Sequence, residues 1–428
     1  MQVPPQREDY EHVPMPPGFQ VVSTELEGPV FADARGHTLY TWPSRGLRNG
    51  NAGDEKQSKS QCNEQVTRET SGLQSPYPAG LLLPDLETRL SCAQVWPPVL
   101  AGPKDQPVGK WTILERESGA KQWAYDGFPL YTSRLDRQRG DTYGGTKRAA
   151  LADSPAVRIP AGPPANVPPE LAVVEVATGR LLTTFEGYSA YSFEQDEPEK
   201  SHCDAACTRD WAPIVAPQGA QPRGEWTLIE RSPGIRQWVF RGQPLYRRVA
   251  DHRFRSLEGS DVPGWHNVYT QRPPPAPREF TIQNTRGGQV LADATGKTIY
   301  LYVCSDDSVD QLSCDDPDTT QAMRLAICGG GSAVRCLKTF PPVLAPPDAR
   351  SNNRAWTTID IDPMSGHRAA PGQPHVLHVW AFRDRPVYTF AGDKKAGDIK
   401  ADAWGEYNGL RNGFKAFWLR DDFFENAG

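Results

Sequence analysis

Two tryptophans twelve residues apart, followed eight residues later by a tyrosine, occur twice in this chain: Trp111, Trp123 and Tyr131, then Trp226, Trp238 and Tyr246. A third set, Trp356, Trp380 and Tyr388, keeps the eight-residue step but widens the first to twenty-four, so the loop around 365–375 reads as an insertion. The surrounding letters agree. WTILERESGAKQWAYDGFPLY (111–131) returns as WTLIERSPGIRQWVFRGQPLY (226–246), and ADARGHTLY (32–40) returns as ADATGKTIY (292–300). Upstream of each set a cysteine precedes an aromatic residue by four positions, at Cys92–Trp96, Cys207–Trp211 and Cys336–Phe340, in the pattern C-x-x-x-[WF]-[PA]-P. A repeat of this kind constrains the fold more than any other feature, because each copy must be one supersecondary unit.

The unit reads as β-structure. In 111–116, Trp111, Ile113 and Glu115 fall on one face of a strand and Thr112, Leu114 and Arg116 on the other. The SGAK and SPGI stretches are Gly-containing hairpin connections, and Asp126-Gly127 and Arg241-Gly242 make a second turn before a strand ending in P-L-Y. Arg35-Gly36 marks the tip of a further hairpin. With 38 Gly and 41 Pro, long helices are disfavoured; the best short-helix candidates are 204–209 and 319–327. The expected fold is therefore all-β with few short helices: three tandem homologous, disulfide-stapled modules of antiparallel meanders. The expected boundaries are a Pro-rich lead 1–19, module one 20–150, a Pro-rich linker 151–167, module two 168–272, a Pro-rich linker 273–278 and module three 279–424. Proline-rich joints of this kind are stiff and extended.

The residues that recur resemble a family of secreted bacterial repeat lipoproteins defined by a Y-x-[FWY]-x-x-D motif. The motif stands intact as Tyr191-Ser-Phe193-Glu-Gln-Asp196; module one has Tyr40-Thr-Trp42 with Arg45 at the acidic position, and module three has Tyr300-Leu-Tyr302 with Asp306 displaced by one. SHCDAACTRDWAP (201–213), the Q-W-x-Y-x-G-x-P-L-Y strand pair at 119–131 and 234–246, and the turn Gly392-Asp393-Lys394-Lys395-Ala-Gly397-Asp398 extend the resemblance over most of the chain. The resemblance implies a bacterial exported or surface-anchored protein and no particular reaction. The N-terminal stretch MQVPPQREDYEHVPMPPG lacks the apolar region of a signal peptide and a lipobox cysteine. The chain is thus expected either to be mature, its targeting segment removed, or to be cytosolic, and lipid anchoring is not expected.

The eight cysteines divide as two, two and four among the modules, which favours disulfides and an oxidising compartment, periplasmic or extracellular. Aligning the copies on the W-P-P side pairs Cys62 with Cys92, Cys203 with Cys207 and Cys314 with Cys336, leaving Cys304 for Cys328. The competing chemistry at His202-Cys203-x-x-x-Cys207 is a soft-metal site such as Cu(I) held by thiolates and imidazole; a short structural disulfide is the simpler reading. His375-Val-Leu-His378 is read as a solvated loop. Asp393, Lys394, Lys395 and Asp398 form a Gly-rich turn able to present N–H groups to an anion, with a plain turn preferred. Glu115, Glu230 and Asp360 share one strand position and, with Arg116 and Arg231 beside the first two, read as solvated strand charges rather than catalytic acids. Tyr40, Trp42, Tyr191, Phe193, Tyr300 and Tyr302, with Asp196, would form a stacking platform for a sugar or planar ligand if exposed; as core they carry no ligand, and core is preferred. No catalytic triad, nucleotide loop or metalloprotease motif is recognisable, and Gly329-Gly330-Gly331 lacks the frame of a phosphate loop.

A net charge of −5 without a basic stripe argues against nucleic acid, and no apolar run approaches a membrane span. The expected function is a periplasmic or cell-surface binding or scaffold protein whose partner is an envelope component or another exported protein, with no cofactor and no catalysis. The alternative is a periplasmic metal- or haem-associated redox partner using copper or haem, and an enzyme acting on envelope polymers comes third.

Overall fold

A computed structural model describes residues 6–43, 53–70, 78–83, 86–145, 159–304, 314–319, 321–351, 353–405 and 413–420. The motif positions Arg45 and Asp306 and residues 151–158 of the 151–167 linker lie outside the described residues.

The three tryptophan segments fold as antiparallel meanders in one register. Trp111–Glu115 pairs with Lys121–Tyr125 so that Trp111 faces Tyr125 and Ile113 faces Trp123. Trp226–Ser232 pairs with Ile235–Phe240 so that Trp226 faces Phe240 and Leu228 faces Trp238. Trp356–Ile361 pairs with Leu377–Phe382 so that Trp356 faces Phe382 and Thr358 faces Trp380. The insertion in the third segment thus sits wholly in the hairpin loop and leaves the pairing intact. Each second turn has two successive residues with positive φ: Asp126 and Gly127 (47° and 86°), Arg241 and Gly242 (49° and 76°), Arg383 and Asp384 (48° and 65°). Two left-handed residues give the turn whose twist matches the flanking strands, which is why glycine appears in two of the three copies.

The chain leaves each meander at the tyrosine of P-L-Y or P-V-Y, and that tyrosine sits between two other strands. It pairs with the motif tyrosine on one side (Tyr40 with Tyr131, Tyr191 with Tyr246, Tyr300 with Tyr388) and with the second proline-turn position on the other (Pro98 with Tyr131, Pro213 with Tyr246, Pro342 with Tyr388). Proline tolerates this edge position because it donates no ladder hydrogen bond.

Two faces give two cores per copy. On one, the tryptophan pair stands edge-on, with centroids 6.2 Å apart for Trp111 and Trp123 and 6.0 Å for Trp226 and Trp238, packed with Phe31, Leu39 and Leu130 or with Leu182, Ala190 and Leu245. Trp356 and Trp380 pack likewise with Leu291, Ile299 and Val387. On the other, the motif tyrosine meets the C-x-x-x-[WF] aromatic edge-on, at 5.6 Å for Tyr40–Trp96, 5.3 Å for Tyr191–Trp211 and 6.3 Å for Tyr300–Phe340. All six of these rings are buried.

Contacts gather the described residues into two compact units: residues up to 11 with 164–273 and Arg420, and residues 12–163 with 274–419. The limits near 163 and 273 fall in Pro-rich stretches. The second unit contains the first and third meanders. There Arg383, at the left-handed turn, forms a buried ion pair with Glu27 at 2.5 Å.

Helix is sparse among the described residues: Cys92–Val95, Ala322–Gly329 and Ala333–Thr339, with 3-10 turns at Cys207–Arg209 and Glu258–Asp261. The 204–209 candidate is reduced to its last three residues and 319–327 shifts to 322–329, while the helices at 92 and 333 escape periodicity because they are too short to show one. No described helix is long and apolar enough to cross a membrane.

Candidate functional site

The residues singled out by sequence converge on the tyrosine–cysteine core of each copy. Tyr40, Tyr191 and Tyr300 each donate their hydroxyl to a carboxylate on the turn that follows the meander: Asp136 at 2.7 Å, Asp251 at 2.8 Å and Asp393 at 2.7 Å. Burial, reinforced by the neighbouring carboxylate, pushes all three phenols well above their ordinary range. Burial also lifts the Asp136 carboxyl to about 8, against the lowering effect of the Tyr40 hydroxyl. The motif tyrosine is thus an interior lock that holds a surface turn. The sequence signal for it was present but unused: Asp136-x-x-x-Gly140-Asp141 has the same spacing as Asp393-x-x-x-Gly397-Asp398.

The second tyrosine explains the motif aspartate. Tyr246 donates to Asp196 Oδ2 at 2.6 Å, while Asp196 Oδ1 accepts the His202 amide at 2.6 Å. In the first copy Tyr131 donates to Asp54 Oδ2 at 2.6 Å, and Asp54 Oδ1 accepts the Gln61 amide at 2.8 Å. Asp54 therefore fills the acidic position that the motif spacing assigns to Arg45. An insertion separates it from Trp42, whose carbonyl still accepts the Asp54 amide at 2.7 Å, as Phe193 does for Asp196 at 3.1 Å.

Arg116 and Arg231, expected as solvated strand charges, turn inward. Arg116 donates to Gln122 Oε1 at 2.7 Å, to the Cys62 carbonyl at 2.9 Å and to Glu64 at 2.7 Å, and is buried. Arg231 donates in the same way to Gln237 at 2.9 Å and to the Cys203 carbonyl at 2.5 Å. Gln122 and Gln237 hand the network on to the carbonyls of Leu130 and Leu245, both at 2.8 Å. A strand-face reading fails here because the cysteine-bearing loop covers what would otherwise be the solvent face. In the third copy the same two positions are Ile361 and Val379, which pack as an apolar cluster with Ile359 and Ala381. The cation is supplied instead by buried Arg324, which lies over the Tyr388 ring at 5.6 Å and donates to Gln321 at 3.0 Å.

The disulfides are Cys62–Cys92, Cys203–Cys207, Cys304–Cys314 and Cys328–Cys336, and no described cysteine is free. The pairing expected for the third module, Cys314 with Cys336 and Cys304 with Cys328, is corrected. Gly330 and Gly331, both at positive φ, fold the helix Ala322–Gly329 back on Ala333–Thr339 and bring Cys328 against Cys336. A Cβ on Gly329 would stand 2.8 Å from the Cys336 amide nitrogen, so the glycine run serves helix contact. The Cys203–Cys207 bond removes both thiolates that a metal at His202, Cys203 and Cys207 requires, and His202 Nε2 faces Glu197 at 3.3 Å. Among the described residues no group of three His, Cys, Asp or Glu side chains gathers as metal ligands.

The remaining candidates resolve individually. Tyr40, Trp42, Tyr191, Tyr300 and Tyr302 are buried, and Phe193 stacks on Trp265 at 4.6 Å, itself stacked on Trp211 at 3.7 Å. The ligand-platform alternative is corrected for the five buried rings, which form the core preferred from sequence, while Phe193 is half-buried with one face on Trp265. In the Gly392–Gly397 turn, Asp398 Oδ2 accepts the amides of Lys394 at 2.9 Å and Lys395 at 3.2 Å, so the N–H groups that would hold an anion already hold a carboxylate. A hydrogen bond from Lys400, then that of the Lys394 amide, lowers this carboxyl to about 2. Glu115, Glu230 and Asp360 face Lys121, Arg236 and His378 across the hairpin, each acid opposite a base. His378 is therefore a strand residue, with Nδ1 2.7 Å from Asp360, rather than part of a solvated loop.

Compared with protein-family models, curated proteins and solved structures, the chain matches none.

Proposed function

We propose that this chain is an exported bacterial repeat protein that acts as a periplasmic or cell-surface binding or scaffold protein, built from three copies of one module at 20–150, 168–272 and 279–424. In this reading it is similar to the secreted repeat lipoproteins with the Y-x-[FWY]-x-x-D motif, and its partner is an envelope component or another exported protein. One observation carries the proposal: the recurring tyrosines and aspartates are spent on the interior of each copy, as Tyr40–Asp136, Tyr191–Asp251 and Tyr300–Asp393. A pattern repeated to hold a framework, while surface residues differ from copy to copy, suits binding through variable surfaces better than a repeated reaction. Four disulfides suit an oxidising compartment.

The test is fractionation of the native host after cross-linking of intact cells, with alkylation of the unfolded, non-reduced chain. The expected result is a chain in the envelope or extracellular fraction with near-zero free thiol and a cross-link to one recurring partner. A cytosolic chain with free thiols would overturn the proposal.

A further inference from the structure

Strand register makes three positions equivalent in the three copies. They are Thr41, Ser192 and Leu301 on the motif strand, Ile159, His266 and Lys415 on the strand beside it, and Phe128, Gln243 and Arg385 after the left-handed turn. In two copies a segment of the same unit lies over this turn. In the first, Lys56 lies 3.2 Å from Asp126, and the Gln57 amide donates to the Gly127 carbonyl at 2.7 Å. In the third, Leu301, Lys415 and Arg385 are buried, Leu26 packs against the cluster that holds Leu301, and Glu27 pairs with Arg383.

In the middle copy the same place is an open groove of about 340 Å³, lined by Ser192, Gln243, His266, Tyr269 and Arg272, among others. That is the lower end of the size range of ligand sites. All of its lining belongs to one compact unit. Arg272 is exposed, and its guanidinium carbon lies 4.5 Å from the centre of the Tyr269 ring, a contact that holds the cation at the groove. Among the described residues, the Ser192 hydroxyl, the Gln243 side-chain amide and the Arg272 guanidinium hold no hydrogen bond or ion pair within the chain. His266 is exposed, with Nε2 3.7 Å from an equally exposed Glu194. Arg241 also lines the groove, but its guanidinium is committed: it donates to Glu225 at 2.7 and 2.8 Å and to the Arg7 and Thr270 carbonyls at 3.0 Å.

The groove therefore offers one uncommitted guanidinium beside three groups that both donate and accept hydrogen bonds. One positive charge matches one carboxylate, which the planar guanidinium can hold bidentately; a phosphate monoester carries nearer two charges. A serine hydroxyl, a glutamine amide and a neutral imidazole each suit hydroxyl groups, which donate and accept in turn.

We propose that this groove binds an acidic sugar, a hexuronate residue, with its carboxylate on Arg272 and its hydroxyls on Ser192, Gln243 and His266. The first and third copies have no such site, because Thr41 and Leu301 replace Ser192, Phe128 and Arg385 replace Gln243, and their own chain lies over the turn. The inference rests on the reading of this chain as an exported binding protein and names the ligand class of one copy.

The test is isothermal titration calorimetry of the full-length oxidised chain with D-galacturonate, D-glucuronate and trigalacturonate, against D-galactose and galactose 1-phosphate. Wild type is compared with R272Q, which changes an exposed side chain, and with S192L, which installs the leucine of the third copy. Far-UV circular dichroism and the absence of free thiol verify folding, and R272Q decides alone if S192L fails to fold. The expected result is uronate binding that weakens about tenfold or more in R272Q and in S192L, with galactose at least tenfold weaker than galacturonate, as loss of a bond to a charged group requires. A trimer held more tightly than the monomer assigns a polysaccharide as the source, and equal affinity assigns a free sugar acid. Galactose bound as tightly as galacturonate would overturn the carboxylate contact, and galactose 1-phosphate bound more tightly than either uronate would overturn the sugar acid in favour of a phosphate. Uronate binding unchanged in R272Q would overturn the groove and leave the binding reading standing. No uronate binding, with an envelope partner still cross-linked in cells, would overturn this ligand alone. No uronate binding by a cytosolic chain with free thiols would overturn both.

Discussion

Replacing Arg116 by isoleucine tests whether the buried polar network of the first copy and the apolar pair of the third are two solutions to one packing problem. Arg116→Ile removes the donors to Gln122 Oε1 and the Cys62 carbonyl, both within the core, whereas the half-exposed Glu64 regains water. The orphaned Gln122 Oε1 costs about 1–3 kcal/mol, the lost charge-assisted bond to the Cys62 carbonyl, which keeps the Ser60 hydroxyl at 3.1 Å, costs about 1.5–3 kcal/mol, and the added apolar burial offsets part of this, so we expect a loss of about 3 kcal/mol. Gln122→Val alone takes one charge-assisted hydrogen bond from Arg116 and should cost about 2 kcal/mol. The double variant differs. Valine has no orphaned acceptor, and the Leu130 carbonyl that loses the Gln122 amide still accepts the Val99 amide at 2.9 Å. The Cys62 carbonyl loses the Arg116 bond but still accepts the Ser60 hydroxyl at 3.1 Å, so the remaining cost is that of one charge-assisted hydrogen bond, about 1.5–3 kcal/mol. The double variant should therefore be about as stable as either single one, a coupling of about 2–3 kcal/mol. Urea denaturation of the oxidised chain, followed by tryptophan emission, measures all corners of the cycle. Strict additivity would refute the reasoning.

Further outcomes follow from the same cores. Asp136 ionises at about 8 when folded, against a model-compound value of 3.8, so the stability its neutral form contributes is complete below about 4 and is lost as the pH rises toward 8; Asp136→Asn should flatten the urea midpoint over that window, and an unchanged slope would contradict a buried neutral acid. Trp211→Ala removes a buried ring stacked 3.7 Å from Trp265 and should cost about 3–5 kcal/mol, read as a shift in denaturation midpoint. Loop-closure entropy predicts that opening Cys62–Cys92, with a separation of 30, by double Cys→Ala substitution costs about 2 kcal/mol more than opening Cys203–Cys207, with a separation of 4; paired denaturation curves decide it, and an equal cost would contradict the entropic account.

The sequence alone determined the local frame. Tryptophan and tyrosine spacing determined the meander pairing, because a strand ladder converts sequence separation directly into cross-strand register once the turn length is known. Asp126-Gly127 and Arg241-Gly242 announced their turns because few residues accept two left-handed positions, and the conserved pairing at Arg383-Asp384 then carried a turn with no glycine at all. Even cysteine counts marked disulfides but not their partners. What lay beyond was decided where residues distant in sequence meet. Asp54 replaces an acid expected near Trp42 because hydrogen bonding recognises position in space, and an insertion hides that position from any fixed spacing. Arg116 is interior because a loop closed by Cys62–Cys92 covers one strand face, and alternation cannot tell water from a covering loop. Cys328 meets Cys336 because two glycines reverse a helix pair. The grouping of the first and third meanders in one unit, through contacts such as Arg383–Glu27, depends on surface complementarity between segments more than 350 residues apart, for which a linear pattern has no counterpart.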